Sequence, residues 1–555
     1  MKTLTPRGSD KPKTAPADAI RLPEPALALS KRDEPVSRSL SKAVFLHLEG
    51  KLRDALKELR EAVDRGERQP ALFSAMGHLE YELHEYEAAV KSYTRLLELE
   101  PAHRTGHFNR AVCLGKLGSW AEAEAAFQKA LACDASRTEA QLGLGTCLVH
   151  LDRAEDALRV FTNYLVRFPD HEEATFGKAV ALQLAGRFEE AAQIYQRILA
   201  RNPRSEQCLA NLVVMNLARQ DYEPVRRYAE MLRALAPDSQ VALEALATAA
   251  FSSGDFSAAA QYARRLTEIV PDHFENWFNL GVAYQKLGNF PHAAEAYSRA
   301  ALLKPDSAQV LLDLGVVHQK LGDLAAARAA YERALQLEPN LAGAIWNLAL
   351  VLEQQGERAE AEKLYARLPE NNPESEEASF RLGYLRLLRG EFRGSSEAFL
   401  ACLRKRADWP EAHLNAGIAF WRGGDPGAAR RAFEKVLALK PGSTDALRGL
   451  AALALEQADY AQAFDLHRRL IDAGERSPEL FYNIGLICQK RNQVRDAILY
   501  YQEALKEDPE FPEALLNLGH ALRFIGREEE ARACWRRAIV AKPELAQNYF
   551  EPSEP

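Results

Sequence analysis

The amino-acid sequence predicts an all-α solenoid of about fifteen two-helix repeats, each 34 residues long. Three observations carry that prediction: a proline that returns at a fixed interval, small residues that recur at two fixed places, and apolar residues at helical spacing on both sides of a recurring glycine. From Pro305, steps of 34 reach Pro339, Pro373, Pro441, Pro509 and Pro543 going forward. Going backward they reach Pro271, Pro237, Pro203, Pro169 and Pro101, and only Ala135, Ala407 and Glu475 interrupt the series. The phase never slips, so the array carries no insertions.

With this proline at place 32, fifteen repeats run from Val36 to Leu545. Place 15 is Gly in ten of them, among them Gly118, Gly288 and Gly526. A glycine there permits the left-handed turn that ends a first helix. Place 32 lies beyond a second helix, where a missing N–H does least harm. Place 8 is Gly or Ala in fourteen repeats and place 20 is Ala in thirteen, as in Gly281 and Ala293. Two helix backbones are expected to approach there, so added bulk would cost about 1–3 kcal/mol.

Along the chain, residues 1–35 differ in kind. They hold six prolines and no aromatic residue, the first being Phe45, and are read as a disordered leader. Repeat 1 carries polar Ser41 and Lys42 at places 6 and 7, as an end cap should. Repeat 6 is irregular: Val213 and Val225 stand where small residues are expected, and Pro224 lies at the start of its second helix. That bulk predicts a spread helix pair and a local change of curvature over 206–239. After Leu545 only a short tail, 546–555, follows; either Tyr549 and Phe550 cover the last repeat or this end self-associates.

Composition excludes several classes. The net charge of -7 and pI near 6.1 argue against nucleic acid, which asks for a basic face. Seven scattered cysteines (Cys113, Cys133, Cys147, Cys208, Cys402, Cys488 and Cys534) contain no CxxC and read as reduced thiols of a cytoplasmic protein. The first twenty residues lack the apolar core of a signal peptide, and no 18-residue apolar run predicts a membrane span. There is no GxxxxGK[ST] phosphate loop and no HExxH motif. His103 and His107, four apart, are read as two exposed, unligated histidines. Neither a catalytic residue nor a metal or cofactor is expected, and the chain is read as not an enzyme.

One segment shows the repeat in full: Trp277, Leu280, Gly281, Tyr284, Ala293, Tyr297 and Pro305. This pattern closely resembles the tetratricopeptide repeat, and the resemblance covers 36–545. It implies a right-handed superhelix whose first helices line a concave groove. A non-catalytic scaffold that binds an extended or helical protein segment in that groove is the function it implies. The second reading is a substrate-recruiting subunit of an enzyme assembly, such as a glycosyltransferase complex.

Place 6 faces the groove in that family. It is Asn in seven repeats: Asn109, Asn211, Asn279, Asn347, Asn415, Asn483 and Asn517, with Asp313 in an eighth. The arrangement is similar to the asparagine ladder of O-GlcNAc transferase repeat domains. A side-chain amide can serve both the C=O and the N–H of a bound peptide; the other reading is that these amides make local hydrogen bonds. Gly143, Gly177, Ala245, Arg381 and Gly449 break the ladder. Trp346, Phe380, Tyr384 and Trp421 fall on the same face, the first two either groove or core, and Tyr384 and Trp421 expected to be the more exposed. Place 2 is acidic in Glu139, Glu173, Glu275, Glu377, Glu411, Asp445, Glu479 and Glu513, either to suit a helix N-terminus or to select basic ligands. Lys116, Lys286, Lys320, Arg422 and Lys490 at place 13 oppose them. The chaperone-tail clamp of the family is not expected, because none of the residues four before the asparagines is basic.

Overall fold

The computed structural model describes residues 37–368 and 372–544. The leader at 1–35 and the tail at 546–555, with Tyr549 and Phe550, lie outside the described residues. Every regular element among the described residues is an α-helix, thirty in all. In every repeat the first helix ends at place 13 and the second begins at place 17. Repeat 8 shows the pattern with Phe274–Lys286 and Phe290–Leu303.

This regularity has a local cause. The residue at place 15 has a positive φ in all fifteen repeats. Ten are glycines, such as Gly288 at 73°, but His84, Asp152, Gln220, Ala458 and Asn492 hold the same conformation at 56° to 61°. In repeat 8 the Gly288 N–H donates to Gln285 O at 3.1 Å and the Asn289 N–H to Tyr284 O at 2.9 Å. Those two bonds close the carbonyls that a helix C-terminus leaves open. The stop is thus a property of the place, and glycine is only its least strained occupant.

The second helices stop in two ways. Where Pro is at place 32, the helix runs to place 30, as in Ala154–Arg167 and Phe188–Arg201, except in repeat 10, where Arg358–Arg367 ends four residues earlier. Repeats 1 and 13 have Glu67 and Glu475 there, and their second helices end one residue earlier, at Asp64 and Asp472. Gly66 and Gly474 then turn at φ 99° and 92°. Glu67 N–H reaches Ala62 O at 3.1 Å and Glu475 N–H reaches Leu470 O at 3.0 Å, so a glycine turn replaces the proline.

Packing explains places 8, 20 and 24. Place 24 is a large ring in most repeats, and Tyr93, Tyr195, Tyr297, Tyr331 and Tyr501 are fully buried. A Cβ added to Gly281 would lie 2.6 Å from Tyr297 Cδ1, and one on Gly485 would lie 2.5 Å from Tyr501 Cε1. The small residue at place 8 is therefore the seat of the ring at place 24. Repeat 6 inverts the arrangement: Val213 and Val225 are fully buried, and place 24 is Ala229. The two valines fill the volume the missing ring leaves, so the bulk expected to spread this pair has a partner that absorbs it.

The helices gather into two compact bodies, one up to Leu303 and one from Lys304. In each, a first helix packs on its own second helix and on the second helix of the preceding repeat. First helices of consecutive repeats also touch, in repeats 1–2, 3–4, 4–5 and 6–7 of one body and 9–10, 11–12 and 12–13 of the other, whereas consecutive second helices stand farther apart. The first helices are thus the inner wall of each body. The most extensive of these contacts is between Glu206–Ala218 and Gln240–Ser252 of repeats 6 and 7, where place 6 is Ala245.

Repeat 1 caps its end in part. Lys42 pairs with Glu58 at 2.6 Å on the polar face, yet Phe45 and Leu48 on the same helix are 68% and 78% exposed.

Candidate functional site: the first-helix wall

Three of the seven place-6 asparagines are half-buried and make no side-chain hydrogen bond among the described residues: Asn279, Asn347 and Asn483. The other four have defined surroundings. Asn109 is 1% exposed, with Nδ2 3.3 Å from the Tyr93 hydroxyl. Asn211 is 5% exposed and its Nδ2 is buried without a partner. Asn415 donates to the Glu411 carbonyl of its own helix at 3.0 Å, and Asn517 donates to the Tyr482 hydroxyl at 2.9 Å.

The ladder belongs in part to a polar layer that sequence reasoning missed. The place-24 tyrosine hydroxyl donates to place 12 of its own repeat: Tyr195 to Gln183 (3.0 Å), Tyr297 to Gln285 (2.7 Å), Tyr331 to Gln319 (3.0 Å) and Tyr501 to Gln489 (2.8 Å). In repeat 10 the acceptor is charged: Tyr365 donates to Glu353 at 2.9 Å, and Arg381 of repeat 11 pairs with that carboxylate at 3.2 Å. Where Gln319, Tyr331 and Asn347 stand at these three places, the next repeats have Glu353, Tyr365 and Arg381, so the Arg that breaks the ladder balances a Glu one repeat earlier. The signal was present as a spacing of twelve between Gln or Glu and Tyr.

The three glycines that break the ladder also have a cause. Each follows a repeat whose place 24 is Phe, not Tyr: Phe127, Phe161 and Phe433 precede Gly143, Gly177 and Gly449. A Cβ on Gly145 or on Gly177 would lie 2.6 Å from Phe161 Cζ, so this ring is wedged between the first helices of repeats 4 and 5. A Cβ on Gly449 would lie 2.7 Å from Phe433 Cζ. In these seams the phenylalanine ring occupies the space a Cβ would need, whereas Phe399 is followed by Asn415 and its ring lies against Gly383 of its own repeat.

Asp313, the acidic member of the series, accepts from Gln309 Nε2 at 3.1 Å. Burial pushes its carboxyl up to about 6, against a smaller opposing pull from the Gln309 amide.

The aromatic residues divide. Tyr384 is 42% exposed. Trp421 is half-buried against the core and its indole donates to Glu456 Oε2 at 2.9 Å. Trp346 packs on Tyr365 at 5.6 Å with the Arg381 guanidinium over its face at 5.9 Å. Phe380 stacks on Trp409 at 4.6 Å and meets Phe399 edge-on at 5.6 Å. Trp346 and Phe380 are therefore partly core.

The acidic place-2 residues all sit in a first helical turn and the basic place-13 residues in a last one, where backbone dipoles favour those signs. One expectation is corrected: His103 and His107 are not an exposed pair. His107 is 8% exposed with Nε2 2.8 Å from Pro101 O, and His103 Nδ1 accepts from the Gly106 N–H at 3.0 Å. Both histidines hold the entry to the first helix of repeat 3. All seven cysteines are free thiols, five of them buried.

Sequence models of the tetratricopeptide repeat match residues 74–140, 116–161, 142–206, 278–342, 318–382, 414–478, 478–511 and 500–533, between them more than half of the chain. Tetratricopeptide repeat protein 8 of Caenorhabditis elegans is 26% identical over 148 residues, 26% of this chain and 29% of that protein. Photosystem I assembly protein Ycf3 of Rippkaea orientalis is 32% identical over 111 residues, 17% of this chain and 62% of that protein. The chain thus spans less than two thirds of the length of both relatives. Among solved structures, the repeat protein YrrB is 20% identical with a TM-score of 0.32, covering 34% of this chain and 98% of that one.

Proposed function

The chain belongs to the tetratricopeptide repeat family, whose members are protein-interaction scaffolds, and we propose that it is a non-catalytic scaffold holding an extended or helical protein segment against its first-helix wall. One observation carries this reading. In the body from Lys304, Asn347 and Asn483 hold amides on that wall that no group of the described chain satisfies, and Asn279 does the same on the first-helix wall of the other body. Half-buried amides without internal partners are groups a peptide backbone can satisfy, since each offers two donors and an acceptor. Tyr384, exposed in repeat 11 between Asn347 and Asn415, adds an aromatic surface beside them. The buried Asn109 and the Tyr482-bonded Asn517 belong to the stack first and would serve a ligand only at the cost of their present bonds. The free thiols fit a reducing, cytoplasmic setting. Among the described residues no helix is long and apolar enough to cross a membrane.

The test is site-specific photocrosslinking in the full chain. A photoreactive residue at Tyr384 should capture a protein segment, whereas one at Leu400, exposed on the second helix of the same repeat, should not. Equal capture at both positions would remove the wall as the binding surface.

A further inference from the structure

We propose that His47, His78 and Glu82 form a site for a divalent transition metal of the zinc class, joining the first helices of repeats 1 and 2. The inference is independent of the ligand reading above. His47 lies near the end of Arg38–Leu48; His78 and Glu82 lie one turn apart at the end of Pro70–Glu82. His47 Nε2 is 2.9 Å from Glu82 Oε2, and His78 Nε2 is 3.1 Å from Glu82 Oε1. One ligand atom from each residue falls within 4.8 Å of the other two. Bonds of about 2.0–2.2 Å to one ion set donors roughly 3.0–3.6 Å apart, so side-chain adjustment alone closes the set.

The chemistry of the donors selects the ion. Two imidazoles and one carboxylate suit zinc and its neighbours and leave at least one position open, whereas calcium and magnesium ask for oxygen. His78 is half-buried, with Nε2 turned toward Glu82. Its other nitrogen, Nδ1, is buried without a hydrogen-bond partner. No protein acceptor or donor at Nδ1 therefore opposes the tautomer that ligation through Nε2 requires, with the proton on Nδ1. The lack of an acceptor there also leaves out the outer-shell bond that usually strengthens such sites.

Charge gives a second argument. The neighbouring carboxylates Glu80 and Glu85 are both held by Arg60. Glu82 has no lysine or arginine partner among the described residues; its ion-pair partners are the two imidazoles. A bound cation would supply the missing positive charge. The bridge also follows a geometry this array uses elsewhere: Trp421 reaches Glu456, 35 residues on, from the same two places by which His47 reaches Glu82.

The experiment titrates tag-free, chelator-treated full chain with Zn²⁺ by calorimetry and with Co²⁺ by visible absorption. One saturable site per chain is expected, with Co²⁺ d–d bands and no response to Mg²⁺ or Ca²⁺. H47Q and E82Q should each weaken Zn²⁺ binding by at least about tenfold while leaving helical circular dichroism unchanged. Hydrogen exchange on the unmodified chain gives a readout that needs no variant: Zn²⁺ should slow exchange in 38–48 and 70–82 and leave repeats 13 to 15 alone. No saturable binding would mean that the cluster is an ion-paired clamp only. Binding unchanged in the H47Q/E82Q double variant, spread over other histidines and thiols, would equally overturn the site.

Discussion

Ala458 and Gly424 occupy the same place in adjacent repeats and share one left-handed backbone conformation, φ 56° and 82°. Only the glycine holds it without a Cβ clash. Ala458→Gly is therefore expected to stabilise repeat 13 by about 0.5–1 kcal/mol, the relief of strain exceeding the entropy of the added glycine. Gly424→Ala should lose a similar amount. Hydrogen exchange in the two repeats is the appropriate measurement, because a repeat array unfolds locally rather than as one unit. A destabilised A458G would show that the turn is set by something other than backbone preference.

Phe161, wedged between Gly145 and Gly177, offers a packing test. Gly177→Ala should cost about 1–3 kcal/mol by overpacking. Adding Phe161→Leu to that variant should recover part of the loss, because the shorter side chain vacates the space the new methyl needs. Each change alone and both together form a double-mutant cycle; strict additivity would refute the wedge.

These two sites mark what was legible in the sequence and what was not. The period, the helix ends and the small residues at places 8 and 20 were readable, because each repeat solves the same local problem and the copies reinforce one another. Place 15 was read through its glycines, yet Ala458 and Asn492 obey the same geometry, so identity under-reported the turn. Repeat 6 looked overfilled because Val213 and Val225 were read without Ala229, the small residue whose volume they take. The amides at place 6 looked like one series. Their fates diverge with neighbours that are distant in sequence and adjacent in the stack, Tyr93 for Asn109 and Tyr482 for Asn517. His47, His78 and Glu82 gave no motif at all, since neighbouring repeats contribute them from different places.

Asp313 makes stability depend on pH. Its folded value of about 6 stands above the ordinary 3.8, chiefly through burial. A raised carboxyl contributes stability that is fully present below the unfolded value and is lost as pH rises through the folded one. Repeat 9 should thus be firmer at pH 5 than at pH 7.5 by about 1–1.5 kcal/mol, the full effect of about 3 kcal/mol being reached only below the unfolded value. Asp313→Asn should flatten that dependence between pH 4 and 7 and raise stability at pH 7.5. Thermal melts of both proteins across this range decide the matter, and an unchanged pH profile in D313N would count against it.

Glu353 and Arg381 allow an exchange between repeats. The pair at 3.2 Å replaces the neutral grouping used by Tyr331 and Gln319 one repeat earlier. Arg381→Ala should cost about 1–3 kcal/mol, since it leaves the Glu353 carboxylate half-buried beside Tyr365 without its cation. Glu353→Gln with Arg381→Asn should restore most of that stability by recreating the neutral form found elsewhere in the same chain. Denaturant melts report both; a double variant no better than R381A would show that the charged version has a role beyond balancing itself.

The binding wall is tested by separating affinity from stability. Tyr384 is exposed, and the Asn347 amide has no internal partner, so neither side chain contributes much to the stack. Tyr384→Ala with Asn347→Ala should leave the melting temperature within about 1–2 °C of the parent. Affinity for the segment captured by crosslinking should fall by roughly tenfold or more, as the loss of an aromatic anchor and a bidentate amide implies. Trp421→Ala is the contrasting control: its indole bonds Glu456 and packs on the core, so it should lower stability together with binding. If the double variant binds normally, the unsatisfied amides are ordinary hydrated groups and the ligand lies elsewhere. If it melts early, Tyr384 and Asn347 are structural, and binding would have to be traced through residues that the stack does not use.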